Sequence, residues 1–201
     1  MNAELSKIAD YLLLKSPLMQ DIGLFHGKMG LVVALFAYAH RYNDSLLEEY
    51  AWDLFQQVYD KIHVDMSIGL ENGLIGIGYA TTLLCKQKWA DCDLNDILAD
   101  IDAKIMERDP RRMTDFSIRS GVGGLQLYLT TRLQVGGTLL TFDKQYLQEI
   151  QSMIANRHIP NSPQRIMDIL SQPSFSIKDY IEQPIDIDGG SAYYILKETL
   201  T

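Results

Sequence analysis

Cysteine is almost missing from this 201-residue chain, with Cys85 and Cys92 its only two. A disulfide-stapled scaffold is therefore excluded, and with no secretory-type start the expected localisation is a reducing cytoplasm. Proline is scarce as well. Of six, four (Pro160, Pro163, Pro173 and Pro184) fall between His158 and Asp188, so the long stretch ahead of them is free to form helices. Cations are in deficit, since 18 Lys and Arg against 26 Asp and Glu leave a formal net charge of -8. Nucleic-acid phosphates find little to bind on such a chain, and no nucleic-acid partner is expected. Long apolar runs are lacking too. The longest, Leu31 to Ala39, reaches about half of a bilayer span between polar flanks, so no membrane partner is expected. The chain is nonetheless 47% hydrophobic, which excludes disorder and supports a real core.

What the chain does have is patterned glycine. Twelve of its 14 glycines gather in four clusters: Gly23, Gly27 and Gly30; Gly69, Gly73, Gly76 and Gly78; Gly121, Gly123 and Gly124; Gly189 and Gly190. Each cluster opens an apolar stretch, HGKMGLVVALFAYA, NGLIGIGYATTLL, SGVGGLQLYLTTRL and DGGSAYYIL. The first three share Gly-x-x-Gly, and the fourth reads as Gly189 with Ala192 in the second slot. Between them run one-sided helical patterns over Asp44 to His63, Asp93 to Met106 and Asp143 to Ala155, with Ser45 and Glu48 as a capping box for the first. Met1 to Ser16 reads as a further amphipathic helix. Gly27, Gly73 and Gly121 follow one another at 46 and 48 residues, so the chain is a repeat of helical hairpins with no competing strand signal. In the proline-containing part, Ser162 before Pro163 predicts a capped short helix, and Ser176 another.

A glycine inside a helix costs about 1 kcal/mol relative to alanine, so paired glycines at four helix starts imply close approach, by a neighbouring helix or by a substrate. The residues just ahead of them are His26, Asn72, Ser120 and Asp188. The last three are good N-cap types, and His26 is the exception. If the inner helices run parallel, all four converge at one mouth of the bundle, where helix N-termini also favour anions.

FHGKMG, ENGLIGIG and SGVGG, each opening an apolar helix that alternates with an amphipathic one, resemble the lanthionine synthetase C-like family, whose members cyclise or otherwise handle ribosomally made peptides. The resemblance covers Ile22 to Leu133, and Asp188 to Leu196 more weakly. It implies an all-α fold, an α/α toroid with Gly-x-x-Gly inner helices. The family ring closes with more hairpins than the roughly four here, so a partial toroid is expected: one domain over 1–201, with regular hairpins over 1–157, an irregular segment over 158–187 and a last glycine-opened helix over 188–198. Coverage of the open ends by Ile159 to Ile187, or by a homodimer, is expected in turn.

Family cyclases hold zinc through a Cys and an adjacent Cys-His pair ahead of later glycine motifs. No glycine motif here follows a Cys and no Cys-His dipeptide exists, so neither a metal nor another cofactor is expected. The resemblance then implies a peptide-modification protein that binds peptide or a peptide-modifying enzyme rather than closing thioethers. The expected binding residues are His26, Asn72, Ser120 and Asp188, joined by Arg111, Arg112 and Arg119, whose guanidinium groups suit carboxylates or phosphate. Rival readings are a glycan-acting enzyme using Glu71, Asp65, Asp186 or Asp188, and a structural assembly module. Cys85 is expected as a small buried apolar residue, and Trp52, Trp89, Tyr38, Tyr50, Tyr59, Tyr79 and Tyr128 as core.

Overall fold

The computed structural model describes residues 3–63, 65–91, 93–136, 139, 141–156 and 165–200, and among them it contains helix and no strand. The α-helices are α1 (Ala3–Lys15), α2 (Lys28–Tyr42), α3 (Ser45–Tyr59), α4 (Leu74–Lys86), α5 (Leu94–Ile97), α6 (Ala99–Met106), α7 (Val122–Gly136), α8 (Lys144–Asn156) and α9 (Ala192–Leu200). Two compact units emerge from their contacts, residues 1–63 with 165–201 and residues 64–164. The short helix expected at Ser162 and Pro163, the first part of Ile159 to Ile187, and Cys92 lie outside the described residues. None of these helices is long and apolar enough to cross a membrane.

The first unit is built around α2, whose residues Lys28 to Ala39 are all buried. Such burial follows from a sequence that is apolar nearly all round. On one side lies α3, which turns only Leu47, Ala51, Leu54, Phe55 and Val58 inward. Asn43 makes the reversal between them by adopting the left-handed conformation (φ 57°, ψ 48°), which asparagine tolerates. The cap of α3 is Asp44, whose carboxylate accepts from the Leu47 N–H at 3.1 Å, and not the predicted Ser45, which is already the first helical residue. α2 also packs against α9, and α1 packs on α9. An inner helix from the end of the chain is thus paired with an amphipathic one from its beginning. The irregular segment joins them: the Tyr11 hydroxyl accepts from the Glu182 N–H at 3.0 Å, and the Tyr11 and Tyr180 rings meet edge-on at 5.3 Å.

The second unit packs α4 against α7. Leu74 to Leu84 are all buried, and a Cβ on Gly78 would come within 2.9 Å of the Tyr128 ring, so this glycine makes room for an aromatic side chain of the facing helix. The predicted helix over Asp93 to Met106 is broken at Leu98 (φ -104°, ψ 5°) into α5 and α6. Asp143 caps α8, accepting from the Gln145 and Tyr146 N–H groups at 2.8 and 3.0 Å.

At the centre of this unit is a polar cluster that periodicity alone does not announce. Asp102 and Arg132 are 0% and 1% exposed. The Arg132 guanidinium donates to Asp102 at 2.9 Å and to Asn95 at 3.0 Å, while the Tyr128 and Thr141 hydroxyls each donate to Asp102 at 2.5 Å. Burial raises the Asp102 carboxyl above its ordinary value, and the Thr141 and Tyr128 hydrogen bonds and the Arg132 charge pull it back. Of the expected core aromatics, Tyr38, Tyr79 and Tyr128 are buried. Tyr50, Trp52, Tyr59 and Trp89 are only half-buried, because they sit at the margins of amphipathic faces and in the turn after α4.

Candidate functional site

Each glycine motif is entered through the same loop. The N–H of the first residue after the key glycine donates to the carbonyl seven residues back: Lys28 to Asp21 (2.9 Å), Leu74 to Ser67 (2.9 Å), Val122 to Asp115 (3.0 Å) and Ser191 to Pro184 (2.8 Å). The loop folds so tightly that a Cβ on Gly27, Gly73, Gly121 or Gly190 would lie 2.3–2.5 Å from backbone atoms of residues four to six positions earlier. Gly27 and Gly73 have extended backbones (φ -122° and -127°), so it is space and not conformation that demands glycine there. This register corrects the fourth motif, where Gly190 is the equivalent of Gly27 and Gly189 (φ 88°) takes the slot of His26. It also removes the capping role of the residues before the glycines. The N-caps of α2 and α4 are Gly27 and Gly73 themselves, with no side-chain cap.

Within each unit two such loops meet. In the first, the Ile187 N–H donates to the Phe25 carbonyl at 3.3 Å, and His26 comes between two carboxylates. Its Nδ1 lies 3.1 Å from Asp186 and its Nε2 3.5 Å from Asp188. An imidazole protonated on both nitrogens donates to both, whereas the neutral ring donates to one. The His26 side chain is 39% exposed and those of Asp186 and Asp188 are 15% and 5%, so the ring is the accessible face of the group. Burial raises the Asp186 carboxyl, and the hydrogen bond and charge of His26 oppose it. Asp188 is further held by the Ser171 N–H at 2.5 Å. Beside them Lys28 is buried, donates to Gln57 at 2.8 Å, and has its pKa lowered by burial and by the Lys61 charge.

In the second unit the Glu71 N–H donates to the Arg119 carbonyl at 2.9 Å, and the two side chains face each other at 3.5 Å. Ser120 is exposed and donates to Asp115 at 2.6 Å, with the Ser117 hydroxyl 2.9 Å away. Ser120 and Asp115 line a small cavity of about 180 Å³ with Ile68, Ile75 and Leu125. Asn72 is exposed on the neighbouring loop. Arg111 and Arg112 lie on the turn Pro110–Arg112, at 74% and 88% exposure. Arg111 clasps Asp109 with two hydrogen bonds of 2.9 and 3.1 Å, and Arg112 lies 3.7 Å from the same carboxylate. That embrace holds the Asp109 carboxyl below its ordinary value.

Of the seven predicted residues, the structure brings His26 to Asp188 in one unit, and the loops of Asn72, Arg119 and Ser120 together in the other. The carboxylates Asp186 and Asp115, which organise these loops, are not among those seven. Their signal is an aspartate two residues ahead of a backbone N–H that it accepts, as Asp21 does for Gly23 at 2.7 Å, Asp115 for Ser117 at 2.8 Å and Asp186 for Asp188 at 3.1 Å.

A thiolate-held zinc does not fit these donors. His26 is flanked by carboxylates, and the other loops offer amide and hydroxyl groups. Among the described residues no three His, Cys, Asp or Glu side chains are grouped to hold a metal ion. Cys85, at the end of α4, is half-buried, not the small buried apolar residue expected.

A protein-family model described as lanthionine synthetase C-like protein matches residues 2–179. No curated protein matches the chain.

Proposed function

Since the chain belongs to the lanthionine synthetase C-like family, whose fold is an α/α toroid, we propose that it serves lanthipeptide-type modification by binding peptide or a partner enzyme, without zinc-dependent thioether closure. One observation carries this reading, the set of groups that the glycine loops present: an imidazole between two carboxylates, an amide, a hydroxyl and an ion-paired arginine, with no thiolate. Such groups hydrogen-bond peptide backbone and side chains but do not lower the pKa of an incoming thiol as zinc does. Arg111 and Arg112 add exposed guanidinium groups that can take acidic side chains of the peptide.

The test uses a fluorescent synthetic peptide with an acidic N-terminal half and a cysteine and a dehydroalanine in its C-terminal half. Closure adds the cysteine S–H across the dehydroalanine C=C with no change of mass, so the free-thiol count reports it. Saturable anisotropy with an unchanged thiol count, with or without equimolar zinc, is expected. The double variant R111A/R112A weakens binding severalfold at unchanged melting temperature. Zinc-dependent loss of thiol would overturn the reading.

A further inference from the structure

The third glycine-opened helix and its amphipathic partner stand apart. Where α3 lies along α2, α8 leans mainly on the Pro110–Arg112 turn. A groove of about 660 Å³ opens between α7 and α8. Phe142 and Ile150 are buried in it, whereas Leu133 on its wall stays 46% exposed, with Leu147 and Ile154 along the same side of α8. Thr130 and Gln151 at the margin complete an apolar centre with a polar rim, the anatomy of a protein interface.

Among the described residues that line it, the only charge is Lys144. It is the first residue of α8, where the partial positive charge of the helix end disfavours a cation. Among the described residues its ammonium has no ion-pair or hydrogen-bond partner. Among the described residues, one end of the groove is therefore electropositive and unneutralised. Lys144, Leu147, Ile150 and Ile154 recur at helical spacing over about 15 Å, the length of roughly three helical turns.

We propose that this groove receives an amphipathic helix of another polypeptide, about three turns long, whose apolar stripe fills it and whose acidic side chain pairs with Lys144. A helix fits because it satisfies its own backbone hydrogen bonds, and these walls offer few groups to an extended chain. The half-open shape suits one face of a helix better than the full enclosure that a lipid chain favours. This inference does not depend on the glycine loops or on the peptide reading above.

The probe is a 14-residue lactam-stapled helix with leucines at i, i+3, i+4 and i+7 and a glutamate one turn beyond, added to the whole chain with methyl NMR as readout. Saturable shifts confined to the methyls of Leu133, Leu147, Ile150 and Ile154 are expected. K144E should weaken binding roughly tenfold, and a probe with lysine for glutamate should restore it, because a like charge replaces an attractive one. Ile154→Asp should abolish binding while the circular dichroism stays unchanged. Absence of saturable shifts, or binding indifferent to K144E and to the swapped probe, would overturn the proposal. So would a dimer in sedimentation velocity that Ile154→Asp dissociates, since the occupant would then be a second copy.

Discussion

Gly73 and Gly189 are glycine for different reasons, and substitution separates them. A Cβ at Gly73 meets the Ser67 carbonyl oxygen at 2.4 Å and the Gly69 nitrogen at 2.5 Å, atoms that cannot move without opening the loop. At Gly189 nothing lies within 4 Å, and only the positive φ resists. Gly73→Ala should therefore cost about 2–3 kcal/mol, as overpacking does, and Gly189→Ala about 1 kcal/mol, both read from urea midpoints. Equal costs would contradict the close-packed loop. Arg132 gives a second residue-level test. Arg132→Met leaves Asp102 buried and uncompensated, a loss of about 3–5 kcal/mol at neutral pH. The folded-state pKa of Asp102 is already raised, so the folded chain holds that proton more tightly than the unfolded one. Its contribution is full below the ordinary value of 3.8 and is lost as pH rises through the folded value. Removing Arg132 lifts that value further, so the deficit of the variant relative to the parent should shrink on acidification. A pH-independent deficit would assign the loss to packing. Helical spacing puts Asp102 on the face of α6 that carries Leu98 and Ile105, but this alone does not mark it as a buried charge. Its partners Tyr128, Arg132 and Thr141 are 26–39 residues away, a separation that periodicity does not bridge.

At the scale of elements, the alternation of all-round apolar and one-sided helices reads directly into α2, α3, α4, α7 and α8, because burial on every side and burial on one side leave different sequence patterns. Boundaries are less legible. Ser45 and Glu48 have capping-box spacing, yet Asp44 holds the cap, since the chain leaves Asn43 in a left-handed turn that brings Asp44 to the helix start. Asp44→Ala should cost about 1 kcal/mol and Ser45→Ala a few tenths, in thermal melts. The reverse order would restore the capping box. In DGGSAYYIL the pattern selects Gly189, with Ala192 in the second slot, whereas the hydrogen bond from Ser191 to Pro184 and the crowded Cβ position select Gly190. The candidate site was half visible for the same reason. His26 stands out by type, whereas Asp186 joins it only because the fourth loop folds back against the first.

At the scale of the molecule, the first unit is discontinuous in sequence, since α9 must return to cover α2 and to pair with α1. Deleting residues 191–201 should strip one flank of α2, and hydrogen exchange of Ala3 to Tyr59 amides should lose most of its protection. Retained protection there would show that α1, α2 and α3 suffice alone. The same feature sets a schedule during synthesis. Once α2 has left the ribosome roughly 150 residues must still be added before α9 exists, about 8–30 s at typical elongation rates. Throughout that interval a helix meant to be buried on all sides has one side bare. The nascent chain is therefore a natural client for a chaperone, and slowing translation late in the message should raise aggregation more than slowing it early.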